Sequence, residues 1–268
     1  SEMCIRDRGV GCVAPGTSYN YLGSSSWVAL TVEKPIVDVE RRTMNWAHVV
    51  PGMLHPSGTM QTAGASYNWM VNQLCQAEQK AALSSGRSVY ELIDEQIAAS
   101  PLGANKLLFL PYLMGERSPR WNVNAKGAFI GLTVGHTHGD MLRSVMEGIT
   151  MNLGLIVNIF RAHVPVESMT VIGGCAKNPI WQQMMADIYQ TEIKIPNYLD
   201  EATSMGAAIL AGIGSGLFND FSVTDRFIRI NKTVQPIPEN VEKYKQLIPV
   251  FDKAYDSLKS LYTDLAAL

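Results

Sequence analysis

Short apolar runs of strand character alternate along this chain with longer segments of helical spacing. Residues 19–31 read as strand, interrupted by Gly23-Ser24-Ser25-Ser26. Residues 45–61 read as a strand pair with a turn at Pro51-Gly52 and a bend at Pro56-Ser57-Gly58. Trp69, Met70, Leu74, Ala77 and Ala81 predict one helix over 64–83. A second helix is predicted over 88–99, where Ser88 and Glu91 make a capping box. Residues 106–113 form a buried strand, and 168–172 another. Leu142, Val145, Met146, Ile149, Leu153 and Ile156 line one face of a long amphipathic helix over 140–163, with Asp140 as its cap. A short strand follows at 192–196. Residues 201–214 form a helix whose small side chains (Ala202, Gly206, Ala207, Ala208, Ala211) allow tight packing on another element. A terminal helix covers 244–268. Strands meeting helices at this rhythm predict an α/β chain, a sheet covered by helices.

Composition narrows the classes. The chain has 268 residues, 47% hydrophobic and 17% charged, with net charge −2. That suffices for a large core in one or two domains. The near-neutral balance argues against nucleic acid or an anionic membrane as the main partner. No apolar run approaches the roughly 20 residues of a membrane span. Cys4, Cys12, Cys75 and Cys175 show no CxxC spacing and read as reduced thiols, the pattern of a cytoplasmic protein. His136 and His138 are close together, but two histidines at i, i+2 on a loop are weak ligand spacing, and no residue is assigned to a metal.

Three segments carry candidate chemistry. Gly173-Gly174-Cys175-Ala176-Lys177-Asn178 stands between the strand at 168–172 and the helical Trp181–Asp187 stretch. Paired glycines let backbone approach a flat ligand or a phosphate, and Asn178 sits at a helix start beside unsatisfied N–H groups. Leu22-Gly23-Ser24-Ser25-Ser26-Trp27 places small hydroxyls on a tight turn able to wrap a phosphate. Gln61 to Trp69 opens a helix with Gly64 at its mouth and Asn68 one turn further on the same face. Each has a plainer reading: a packing turn, a serine-rich turn, a helix start with a solvent-facing Asn. Ser24 as a hydrolase nucleophile lacks a GxSxG elbow. Glu116 and Arg117 either pair structurally or line a cleft, and Trp181, Met184 and Met185 read as core.

Longer motifs accompany these segments. Gly127-Ala128-Phe129-Ile130-Gly131-Leu132 is followed, after seven residues, by Asp140-Met141-Leu142-Arg143-Ser144-Val145-Met146-Glu147. Gly115-Glu116-Arg117-Ser118-Pro119 fits a GER(S/T)P pattern, and Glu201, Gly206 and Ala207 lie in a stretch of the form ExxxxGAAxxAGxGxGxF. In these motifs residues 9–268 resemble the FGGY family of carbohydrate kinases, in its xylulose-kinase-like branch. The resemblance implies the C-terminal, nucleotide-binding domain of such a kinase. Its fold would be the ribonuclease-H-like ATPase domain of the actin/hexokinase/Hsp70 superfamily, a mixed sheet flanked by helices. It implies ATP and Mg²⁺ as cofactors and a sugar as substrate, a pentulose such as D-xylulose. The family's phosphate turn falls on Gly23, Ser24 and Ser25, with Ser24 for the commoner Thr. Its helix-mouth phosphate or ribose contact falls on Gly64, with Asn68 for a frequent Gln. Its adenosine motif falls on Gly173, Gly174, Cys175 and Asn178.

The family's catalytic Asp is expected just upstream of Gly9, so no catalytic residue is assigned. Residues 1–8 are read as a non-native segment without fixed structure, since Met3–Arg8 is similar to a translated transposon adaptor from sequencing libraries. Asp7 stands near the expected position, but its neighbours do not match. The N-terminal sugar-binding lobe is expected to be the missing partner, and its absence would leave an uncovered face that favours homodimers. The alternative is a nucleotide-binding or assembly module of the same fold without catalysis.

Overall fold

A computed structural model of the chain describes residues 2–268, with side chains from residue 5 onward. It opens with α1 (Glu2–Gly9), the hairpin β1 (Ser18–Leu22) and β2 (Ser26–Leu30), and the pair β3 (Met44–Ala47) and β4 (Leu54–Met60). Three helices follow, α2 (Gly64–Leu74), α3 (Gln76–Ser85) and α4 (Val89–Ala99), then the two-stranded ribbon β5 (Leu108–Leu110) and β6 (Ala128–Ile130). The long helix α5 (His138–Arg161) leads into β7 (Ser168–Ile172), α6 (Pro179–Tyr189), β8 (Glu192–Pro196) and α7 (Ala202–Gly214). The short α8 (Thr224–Phe227), β9 (Ile230–Val234) and α9 (Pro238–Ala267) complete the chain.

Seven strands form one mixed sheet in the order β3-β4-β2-β1-β7-β8-β9. β1, β2, β4 and β3 are antiparallel, β1, β7 and β8 are parallel, and β9 closes the edge antiparallel to β8. The register decides where the loops go. Leu22 faces Ser26, Ser26 faces Met60, and Tyr21 faces Ile172. The turns after β1, β4 and β7 therefore leave from the same end of the sheet.

Successive side chains of a strand point to opposite faces. Val28 and Leu30 join the main core with α5 and α6, whereas Trp27 and Ala29 join a smaller cluster with Val10, Tyr19 and Ile172. On α5 the residues chosen by spacing, Leu142 to Ile156, are all fully buried. That helix lies so close to β5 that a Cβ on Gly148 would sit 2.0 Å from the Phe109 carbonyl oxygen.

Several expectations are corrected. The single helix over 64–83 is two helices, because Cys75 leaves helical geometry at φ −104°, ψ 37°. The bend at 56–58 is continuous strand, with Pro56 opposite Asn45 and Ser57 opposite Met44. The strand over 106–113 shrinks to β5, because Ala104, Asn105 and Lys106 all take positive φ before it. Thr137, not Asp140, caps α5, and Asp140 is the acid that returns the bond in the capping box. α9 begins at Pro238, which presets the first turn. Residues 1–8 were expected to lack fixed structure, but from Glu2 to Gly9 the chain forms α1 against α7, where a Cβ on Gly206 would lie 1.9 Å from the Ile5 carbonyl oxygen. The small residues of α7 permit that approach.

Candidate functional site

The three loops that leave the same end of the sheet enclose a cavity of about 590 Å³. Its walls include Gly23 and Ser24 from the β1–β2 turn, Gly64, Tyr67 and Asn68 from α2, and Gly174, Cys175, Lys177 and Asn178 from the turn after β7. Tyr21, Tyr90, Asp94, Pro179 and Trp181 complete it. A cavity of this size at the carboxyl ends of parallel strands is where open α/β sheets take ligands. Of the nine residues singled out in the sequence, seven line it. Ser25 is exposed on the same turn, and its carbonyl accepts from Gly23 N–H at 3.1 Å. Gly173 lies just behind, and its role is conformational. It has φ 100°, and a Cβ there would sit 2.5 Å from the Leu22 carbonyl oxygen.

Backbone bonds lock the loops to each other. Gly64 N–H donates to Gly23 O at 2.8 Å, and the amides of Ala63 and Ala65 both donate to Ser24 O at 3.0 Å. A Cβ on Gly64 would meet that Gly23 oxygen at 2.6 Å and Cys175 Sγ at 3.1 Å, so this position brings all three segments together. At Gly174 an added Cβ would meet no atom within 4 Å, so that face opens on the cavity.

Asn178 fixes the third wall. Its Oδ1 accepts from the amides of Ile180 and Trp181 at 2.9 and 3.1 Å, capping α6, with Pro179 at the first helical position. Its Nδ2 donates to Asp94 Oδ1 at 2.7 Å. Burial raises the Asp94 carboxyl above its ordinary range, and the Asn178 amide opposes the rise. Burial pushes the Cys175 thiol up to about 11, so it is neutral at pH 7 and no nucleophile. Tyr67 stacks on Tyr90 at 6.2 Å and packs on Trp181 at 5.3 Å, offering aromatic surface suited to a flat ring. The Tyr67 hydroxyl is buried without a hydrogen-bond partner. Lys177, at the rim, pairs with Asp200.

The sequence reading missed Tyr67, Tyr90 and Asp94, although Tyr90 and Asp94 share one helix face at i, i+4. It placed Trp181 in the core. Trp181 is only 1% exposed, and its indole N–H donates to Thr150 Oγ1, yet its edge also reaches the cavity.

Glu116 braces the site from beneath. Its Oε1 accepts from the backbone amides of Gln61 and Arg117 at 2.7 and 2.8 Å, and its Oε2 from Asn152 Nδ2 at 3.2 Å. It thus ties the GERSP segment to the loop that opens α2. Burial, outweighing those bonds, raises its carboxyl from 4.5 to about 8. Between those two values the folded protein holds a proton that the unfolded chain has released, so stability falls as pH rises through the window and levels off above it. In Glu116→Gln this slope should shrink relative to wild type when denaturant midpoints are compared across that range. Parallel pH profiles for the two proteins would contradict the assignment.

Two further groups escaped the sequence reading. Asp7 is buried against His55 Nδ1 at 2.9 Å and His48 Nε2 at 3.4 Å. Cys75, Glu78 and His138 converge at the break between α2 and α3. His136, once paired with His138 as a metal candidate, instead holds its own loop through Thr133 and Asn105.

The sequence profile of the FGGY family of carbohydrate kinases, C-terminal domain, matches residues 18–215. The chain belongs to the FGGY family. Xylulose kinase from Staphylococcus epidermidis (strain ATCC 35984) is 35% identical over 263 residues, covering 97% of this chain and 51% of that protein. Gluconokinase from Bacillus licheniformis is 29% identical over 272 residues. Among solved structures, ligand-bound xylulose kinase from Lactobacillus acidophilus superposes with TM-score 0.87 at 25% identity, over 97% of this chain and 51% of that one. Glycerol kinase with ADP from Plasmodium falciparum, at 19% identity and TM-score 0.78, shares the fold. The mixed sheet flanked by helices is thus the ribonuclease-H-like arrangement of the actin/hexokinase class. This FGGY chain spans about half the length of the curated relatives it matches.

Proposed function

We propose that this chain is the nucleotide-binding half of a sugar kinase that transfers the γ-phosphate of ATP to a sugar hydroxyl, with a pentulose such as D-xylulose as acceptor. The observation that carries the reading is the convergence of three glycine-bearing turns on one cavity with an aromatic wall. Gly23, Ser24 and Ser25 would receive phosphate. Gly64 and Asn68 would address phosphate or ribose. Gly173, Gly174 and Cys175, with Asn178 holding the wall, would take the adenosine. Small residues and backbone amides suit a phosphate chain, and Tyr67 with Tyr90 suits a purine.

The substrate would be MgATP. Asp94 is the one carboxylate lining the cavity among the described residues, and it is tied to Asn178, so the cation would rest on the nucleotide's own phosphates and water. The sugar site would lie mainly in an N-terminal lobe outside residues 1–268, and the catalytic Asp just upstream of Gly9, on the natural segment whose place residues 1–8 take. Residues 1–8 would be foreign to the natural domain. Within them Arg6, Asp7 and Arg8 are buried, Arg6 over the Tyr21 ring, Asp7 against His55 and Arg8 near the Phe221 ring. The xylulose kinases among the relatives support pentulose, while gluconokinase and ribulokinase relatives make the acceptor a matter for measurement. Joined to a complete N-terminal lobe of a family member, the chain should release ADP in response to one sugar of a panel of pentuloses, hexuloses, gluconate and glycerol. A joined protein that binds nucleotide yet responds to none of them would favour a non-catalytic nucleotide-binding or assembly module.

A further inference from the structure

We propose that Cys75, Glu78 and His138 form a binding site for a zinc-class divalent cation, separate from the nucleotide cavity. The three come from the helix α2–α3 break, the first turn of α3 and the first residue of α5. One donor atom from each lies within 4.8 Å of the others. His138 Nδ1 is 3.2 Å from Glu78 Oε1. Tetrahedral zinc with bonds of about 2.0–2.1 Å has ligand–ligand edges of about 3.3 Å, so this pair already stands at coordination distance.

Two of the three side chains are held out of water, while His138 is 34% exposed. Cys75 is fully buried and unbridged, and Glu78 is 8% exposed. Gln96 donates to Glu78 Oε1 at 2.6 Å, which orients the carboxylate. Glu78 Oε2 is buried with no hydrogen-bond partner, and so is His138 Nε2. An orphaned buried carboxylate oxygen is costly unless something takes it up. A cation satisfies the carboxylate, and the thiol loses its proton to the medium as the metal–sulfur bond forms.

The donor set selects the cation. One thiolate, one imidazole and one carboxylate suit zinc-like ions and are poor for Mg²⁺ or Ca²⁺, which take oxygen ligands. A cavity of about 410 Å³ bordered by His138, Thr137 and Gln96 reaches the imidazole side of the cluster from solvent. Binding would pin the α2–α3 break to the start of α5. Because α2 carries Gly64, Tyr67 and Asn68 at its other end, the clamp would brace the wall of the nucleotide cavity.

The test is titration of the whole reduced chain with Co²⁺ followed by absorbance, then displacement by Zn²⁺. One equivalent should give a thiolate-to-cobalt band with tetrahedral visible bands. Both should vanish in Cys75→Ser and in His138→Gln and persist in His136→Gln. Zn²⁺ should raise the melting temperature by several degrees in wild type and leave His138→Gln unchanged. Should Cys75→Ser fail to fold, His138→Gln decides alone. No thiolate band, or a band retained in either ligand variant, would overturn the site, since the cobalt would then sit on another cysteine or nowhere.

Discussion

The chain alone is expected to show no sugar-stimulated release of ADP, while the same chain joined to an N-terminal lobe turns over. Phosphoryl transfer depends on holding the acceptor in line and stabilising charge across the cleft. A positioned general base contributes roughly 10²–10⁴-fold, and orientation of the acceptor contributes more. None of the residues lining the cavity is placed for either task. Asp94 is committed to Asn178. Asp7, the aspartate nearest the expected catalytic position, is fully buried against His48 and His55 and does not line the cavity. The measurement is a coupled ADP assay on both proteins across the sugar panel. Robust sugar-dependent turnover by the short chain, abolished by Asp7→Asn, would show that the site is complete in these 268 residues.

Gly148→Ala should destabilise the domain strongly, although helix propensity alone argues the opposite. Replacing a mid-helix glycine by alanine stabilises a helix by about 1 kcal/mol where there is room. Here the new Cβ would sit 2.0 Å from the backbone oxygen of Phe109 on β5, and 3.0 Å from its carbonyl carbon. Backbone cannot swing aside as a side chain can, so α5 must move off the β5–β6 ribbon. Overpacking of this kind costs about 3 kcal/mol at the upper end of its usual range. For a domain of this size that lowers the melting temperature by roughly 6–12 °C. Thermal unfolding of the variant reads it, and a melting temperature at or above wild type would contradict the packing described for α5. Ala at Gly174, where the new Cβ meets nothing, is the natural control for stability.

Local pattern made much of this fold legible. The i, i+3, i+4 spacing of Leu142 to Ile156 marks a buried helix face in sequence and in structure alike. Asn178 was readable as a helix start because its side chain and Pro179 act within three residues. What local pattern does not carry is long-range registry. Nothing near Cys75 announces a helix break, since the chain on both sides is good helix former and the α2–α3 angle is set by packing. Asp140 and Thr137 both qualify as caps, and only the backbone geometry distinguishes the cap from its reciprocating acid. The cavity shows the same division. Its glycines were legible as turns, and the motif resemblance assigned them to one ligand. Tyr67, Tyr90 and Asp94 were not, because aromatic and acidic residues on amphipathic helices are common and only tertiary packing aims these three inward. Glu116 was legible as a motif residue, but its role in holding Gln61 depends on a contact across 55 positions of sequence.

The central claim is that one cavity on this chain receives adenine nucleotide, and calorimetry with MgATP tests it most directly. Weak binding is expected, because in the proposed reading a second lobe, outside these residues, closes over the nucleotide and preorganises the site. Gly174→Val starts from a Cβ position clear of protein atoms on the cavity wall, so it should abolish the heat and leave the melting temperature within about 2 °C of wild type. Asn178→Ala should weaken binding as the α6 cap and the Asp94 bond are lost. The account predicts saturable heat with wild type at millimolar nucleotide and none with Gly174→Val. No heat with wild type, or heat unchanged in Gly174→Val, would contradict it.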